Sequence, residues 1–177
     1  MKTNQDRLIE FHRAIGQPIL PYPQVPPDDR VRLRARLIAE EFFETMDAMY
    51  GVNGRSTPGA ISKLVAARKL VANVIDTCIP GVDLVELADG LADLDYVIEG
   101  TRLECGIDGE PIAREVHRTN MLKSGGPVSP EGKRLKPPGW TPPRIREELG
   151  LQINEPEEWG MVRVLADLPP EEELREP

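Results

Sequence analysis

Apolar residues recur at every third or fourth position through most of the first 123 residues, which is the period of an α-helix. Residues 5–15 carry Leu8, Phe11, His12 and Ile15 at that spacing, and Gly16 with Pro18 closes the pattern. QPILPYPQVPPDD then holds five prolines and reads as a stiff loop. Residues 29–50 predict the clearest helix, with Val31, Ala35, Ile38, Phe42, Met46 and Met49 on one apolar stripe. Its other side begins with Leu33 and Leu37 and continues along the same line into Glu40 and Glu44. Such a helix is expected to be sandwiched, with its acidic side facing inward and Phe43 left for an interface.

GVNGRSTPG is a turn-rich break in which Thr57 and Pro58 have the form of an N-cap and a first-turn proline. A helix over about 58–78 follows, and Pro80-Gly81 ends it. Residues 82–104 predict another, with Leu87, Leu91, Leu94 and Ile98 as its core stripe. Pro111 opens a last one through REVHRTNMLK, broken at Ser124-Gly125-Gly126. Beyond it the periodicity stops, and ten of the eighteen prolines fall in residues 124–177. The organisation expected is an all-α domain over residues 1–123 and an extended C-terminal arm with an acidic tail over 124–177.

Composition narrows the partners. A net charge of -8 disfavours a sequence-independent hold on polymeric nucleic acid, though not a small nucleotide carried on a metal ion. No stretch approaches the roughly 20 apolar residues that span a bilayer, and the N-terminus lacks a signal-peptide core. Cys78 and Cys105 have no metal-type spacing and sit in apolar helical patterns, so each is expected to be either a core residue or inert, in a reducing cytoplasm.

The carboxylates alter this picture most. EEFFE places Glu40, Glu41 and Glu44 within little more than one turn, where like charges weaken a helix. ELADGLAD adds Glu86, Asp89 and Asp93 within an arc of roughly 60° at about 100° per residue, and Tyr96 extends that side. If the two clusters face each other, their charge requires protons or cations. All-oxygen ligands suit magnesium, manganese or calcium. A di-iron bundle would need Glu-x-x-His on two helices, which His12 and His117 do not provide. No nucleophile elbow, Walker loop or dinucleotide fingerprint occurs.

Four blocks in order, FHRAIGQP, EEFFE, ELAD and EVHRTNMLK followed by EGKRLKPPGWTPP, resemble the MazG-like all-α NTP pyrophosphohydrolases. They are most similar to the phosphoribosyl-ATP pyrophosphohydrolase-like branch and, within it, to cyanophage MazZ-type (d)GTP enzymes. The resemblance covers roughly residues 5–145, and the separation of 42 positions between Glu44 and Glu86 is long for compact members. It implies a helical bundle completed by oligomerisation, as a homodimer or homotetramer in the cytoplasm, of a host cell if phage-encoded. It implies two or three magnesium or manganese ions per site on Glu41, Glu44, Glu86 and Asp89. Glu40 would orient or deprotonate the attacking water and also touch a metal.

The resemblance further implies hydrolysis of a nucleoside triphosphate at the α-phosphorus to a monophosphate and pyrophosphate. Asn120 and Lys123 match its phosphate-binding pair, with Lys123 supporting catalysis, and Lys133 and Lys136 are expected to reach the phosphates from the arm. Phe11, His12, Ile15, Gln17 and Tyr96 are candidates on the nucleoside side, and Trp140 either packs the arm or borders the base. The substrates expected are dGTP or GTP first, then dUTP or dCTP. The reading from another class is a non-catalytic acidic helical module that binds calcium or a basic protein, for which Asn120 and Lys123 would have no use.

Overall fold

A computed structural model describes residues 2–50, 59–130 and 132–154. Six α-helices follow one another: α1 Asn4–Ile15, α2 Asp28–Tyr50, α3 Ala60–Thr77, α4 Leu84–Glu104, α5 Gly109–Met121 and α6 Ile145–Asn154. A short 3-10 turn, Leu122–Gly125, extends α5. There is no extended strand among the described residues, as an all-α protein requires. The expected Thr57-Pro58 cap and the acidic tail lie outside the described residues.

The chain forms two compact units. The first draws on Met1–Pro21, Val85–Pro127 and Arg134–Pro177, and the second on Tyr22–Leu84 and Val128–Lys133.

In the first unit α1 is closed at both ends by its own sequence. Thr3 Oγ1 accepts the Asp6 backbone N–H at 3.1 Å and Asp6 returns the bond to the Thr3 N–H at 2.9 Å, a capping box. At the other end Gly16 turns left-handed at φ 67°, which lets Gln17 N donate to His12 O at 2.8 Å. The helix packs on α5 through Arg7, which is buried and bonds Asn4 Oδ1 at 2.8 Å and Glu110 Oε2 at 3.1 Å. Asp108 caps α5 by accepting from Glu110 N at 2.9 Å.

The Pro-rich segment is anchored on these helices. Arg134 donates to Gly126 O at 2.8 Å and to Ile15 O at 2.9 Å, placing a cation at the carbonyl end of α1. Gly126 is required where it stands, because a Cβ there would lie 2.0 Å from Leu135 O. Trp140 Nε1 donates to Thr119 O at 3.0 Å. The segment then forms α6, a helix where the proline count predicted extended chain. Glu115 Oε1 accepts the Arg144 N–H at 2.9 Å beside the start of α6, and Gln152 exchanges two bonds with the Asp108 backbone, at 2.9 and 3.1 Å. Those two contacts run α6 antiparallel to α5.

The second unit is a hairpin of α2 and α3. Asp47 pairs with Arg68 at 2.8 Å near one end, and Arg36 pairs with Asp76 at 2.7 Å towards the other. Leu33 and Phe43 are its buried apolar residues. Phe43 is therefore core, while Ile38, Phe42 and Met49 of the expected stripe are exposed, because α3 covers the Leu33–Phe43 side of α2. The stripe of α4, Leu87, Leu91, Leu94 and Ile98, is likewise exposed, at 41–46%. Cys78 and Cys105 are also exposed; both follow directly on helix C-termini, where packing ends.

Candidate functional site

On α2, Arg36, Glu40 and Glu44 recur at intervals of four and so stand on one face. That face borders a groove of about 170 Å³ between α2 and α3, lined also by Phe43, Arg68 and Ile75. The Arg68 guanidinium lies 5.4 Å from the Phe43 ring centroid, and the Phe42 ring meets Phe43 edge-on at 5.2 Å. Glu41 projects about 100° further round the helix. Its backbone carbonyl accepts from Thr45 Oγ1 at 2.8 Å.

A tight turn ends beside this face. Ser129 N donates to Lys133 O at 2.8 Å and Gly132 N to Ser129 O at 2.9 Å. Gly132 sits at φ 88° against Leu33 and Arg30. The turn delivers Lys133, whose Nζ grips both oxygens of the Glu40 carboxylate, at 2.6 Å from Oε1. Lys133, expected on the phosphates, here neutralises the expected water-activating carboxylate.

The first unit assembles a second group. Lys123 Nζ donates to Asn120 Oδ1 at 2.8 Å, as their spacing of three on α5 permits. Trp140 lies beneath two ammonium groups, Lys136 at 4.2 Å and Lys123 at 5.8 Å from the ring centroid. The expectation that Trp140 packs the arm is thus met, and its ring also holds two of the expected phosphate donors. Glu86, Asp89 and Tyr96 all lie on α4 and are exposed, Tyr96 at 82%. His12 and Gln17 share the turn that ends α1, where His12 Nδ1 lies 3.0 Å from Pro18 O.

Two buried charged groups escaped the sequence reading. Glu115 is 5% exposed and accepts from Arg118 at 2.8 and 2.7 Å and from Arg144 N. The Arg118 bonds, then the Arg144 N–H, hold its carboxyl well below the usual carboxylate range against the opposing effect of burial. Arg7 with Glu110 is the other. Near them His117 Nε2 is 3.5 Å from Glu10, whose carboxyl is lowered first by Lys2. The Arg118 partner, three residues on in the same helix, has a readable spacing, whereas Arg144 lies 29 residues on and reaches Glu115 only through folding.

The donor chemistry on α2 fits a hard divalent ion. Glu40 and Glu44 offer only oxygen, they share one groove, and the Glu40 carboxylate is held by a cation in their present arrangement. Among the described residues, no three His, Cys, Asp or Glu side chains gather closely enough to hold a metal ion. Like charges at adjacent and fourth positions splay apart unless a cation gathers them. No helix among the described residues is long and apolar enough to cross a membrane.

Comparison with known proteins gives a family and a fold. The family model of phosphoribosyl-ATP pyrophosphohydrolase matches residues 8–120, from within α1 to within α5, a span that includes every carboxylate named on α2 and α4. A solved structure, that of a candidate NTP pyrophosphohydrolase from Exiguobacterium sp. 255-15, is 25% identical with a TM-score of 0.61. The match covers 87% of this chain and 98% of that one. No curated protein matches.

Proposed function

Because the chain belongs to the phosphoribosyl-ATP pyrophosphohydrolase family, we propose that it cleaves nucleoside triphosphates at the α-phosphorus, releasing a monophosphate and pyrophosphate. The observation that carries this reading is the α2 face, where Glu40 and Glu44 share a groove and a lysine ammonium already answers the Glu40 charge. In keeping with the resemblance, Glu41 and Glu44 of α2 are assigned as ligands of magnesium or manganese, two or three ions per site, and so are Glu86 and Asp89 of α4. When bound, such ions neutralise phosphate charge and lower the pKa of water.

The chain's own groups supply the rest. Glu40 orients the attacking water and accepts its proton once Lys133 has released the carboxylate. Lys123, steadied by Asn120, donates to the pyrophosphate oxygens on which charge develops as the Pα–O bond breaks. Lys136 and the freed Lys133 add further phosphate contacts. His12, Gln17 and Tyr96 are assigned to the nucleoside.

The preferred substrates are dGTP and GTP, in keeping with the resemblance to MazZ-type enzymes, and the second choice is dUTP or dCTP. The exposed stripes Leu87–Leu91–Leu94–Ile98 and Ile38–Phe42–Met49 favour a homodimer or homotetramer as the working form, since such surfaces are costly in water.

The test incubates the protein with manganese and a panel of NTPs and dNTPs in ¹⁸O-labelled water. Pyrophosphate and a monophosphate bearing the label are expected. Release of single phosphates, or label in pyrophosphate, would place the attack elsewhere. A folded, metal-loaded protein that turns over no nucleotide would leave the acidic binding module as the better account.

A further inference from the structure

The groove between α2 and α3 contains more than the carboxylates need. Its floor is apolar, formed by Ala39, Phe43, Val71, Ala72 and Ile75. A guanidinium stands on either side along its length, Arg36 fixed by Asp76 and Arg68 fixed by Asp47. These ion pairs hold the two forks in place, and each guanidinium carries five donors, more than the pairing carboxylate engages. We infer that this groove is the base-binding subsite of the proposed hydrolase, and that Arg36 and Arg68 select nucleobases presenting carbonyl oxygens over those presenting an amino group. The inference rests on the proposed reaction for its substrate class, and adds the base.

Charge decides between occupants. Four carboxylates, Glu40, Glu44, Asp47 and Asp76, stand around the groove against three cations, Arg36, Arg68 and Lys133, so it has no positive excess to draw in a bare phosphate. A neutral ring needs none. A space of about 170 Å³ suits one flat heterocycle rather than a whole nucleotide. A ring there lies over aliphatic carbon, next to the carboxylates proposed to carry the metal-bound triphosphate. A guanidinium pairs bidentately with the O6 and N7 acceptors of guanine. An adenine amino group at the same place brings donor against donor. This subsite lies on a helix pair that includes α3, within the long separation between the two acidic clusters.

Inosine and adenosine triphosphates isolate the point, because they differ at the 6-position oxygen or amino group. Two measurements are made on the full chain: kcat/KM with manganese, and the dissociation constant with calcium as an unreactive ion. ITP is expected to have the higher kcat/KM and the smaller dissociation constant, each by on the order of tenfold or more, the discrimination of one bidentate pair. Arg68→Gln and Arg36→Gln should each pull that ratio towards one, while competition by inorganic tripolyphosphate stays unchanged. Both arginines are a third or more exposed, and circular dichroism checks that the variants remain folded. Equal handling of ITP and ATP by the wild type, or an unchanged ratio in both variants, overturns the inference even if hydrolysis proceeds. Base-selective binding without turnover would keep the subsite and discard the hydrolase.

Discussion

Lys133→Met separates the two tasks given to this lysine, because they predict effects of opposite sign. In the free chain its ammonium sits on Glu40, so a divalent ion entering there must first displace it. The two side chains are 40% and 42% exposed, which makes this a surface ion pair of about 0.2–1 kcal/mol. Coulomb's law gives about 1 kcal/mol for unit charges 4 Å apart in water, the same scale. At about 1.4 kcal/mol per decade, removing the competitor should tighten manganese binding by about 1.5- to 5-fold.

With nucleotide bound the same change removes a charged donor from the phosphates. A hydrogen bond to a charged group is worth about 1.5–3 kcal/mol, so kcat/KM should fall by about ten- to a hundredfold. The assay pairs an electron-paramagnetic-resonance titration of free manganese, without nucleotide, with pyrophosphate release. Tighter metal and weaker turnover together are the expected result. Metal binding that weakens, or turnover that stays unchanged, would refute the two-state role of Lys133.

Trp140→Ala should raise KM for the nucleotide by about 5- to 30-fold, taking about 0.5–1 kcal/mol for each of the two cation–π contacts, with Trp140→Phe recovering part of the loss. Glu44→Gln should abolish pyrophosphate release while circular dichroism shows α2 intact. Arg7→Met should cost about 1.5–3 kcal/mol in urea denaturation, and adding Glu110→Met should cost less than the sum of the single changes. The Glu115 carboxyl is depressed in the folded chain, so its stabilisation is complete above its ordinary value and is lost as pH falls through the depressed one. Trp159→Phe leaves Trp140 as the sole tryptophan. In that background Trp140 fluorescence should hold steady from pH 7 to about 4.5 and change only in stronger acid; a transition above that range would contradict the assignment. Glu115→Gln should loosen the segment already at neutral pH.

The helices before residue 123 were legible because each carries a full apolar period between proline or glycine breaks. The face that each buries was less so. Residues 31–49 have two apolar sides, and only the position of α3 decides that Phe43 rather than Phe42 goes inside. The α6 segment was not legible at all. IREELGLQIN is ten residues among prolines, and what makes it helical lies far away in sequence, at Glu115 and Asp108. In the site, the carboxylates and the Asn120–Lys123 pair could be read from spacing. Arg36 was readable in principle as the next member of the Glu40–Glu44 ladder. Arg68 belongs to another helix, and only folding brings it to Phe43.

Helix α6 also fixes an order of events. Ten residues cannot hold a helix in water by themselves, because nucleation is too costly. Its first turn is met by a carboxylate from α5 and its last by the loop that caps α5, so its template must exist before it does. It should therefore form after the transition state, with folding rates insensitive to Gln152→Ala and unfolding rates raised by it. A protease should find this helix open while α5 beneath it still resists cleavage.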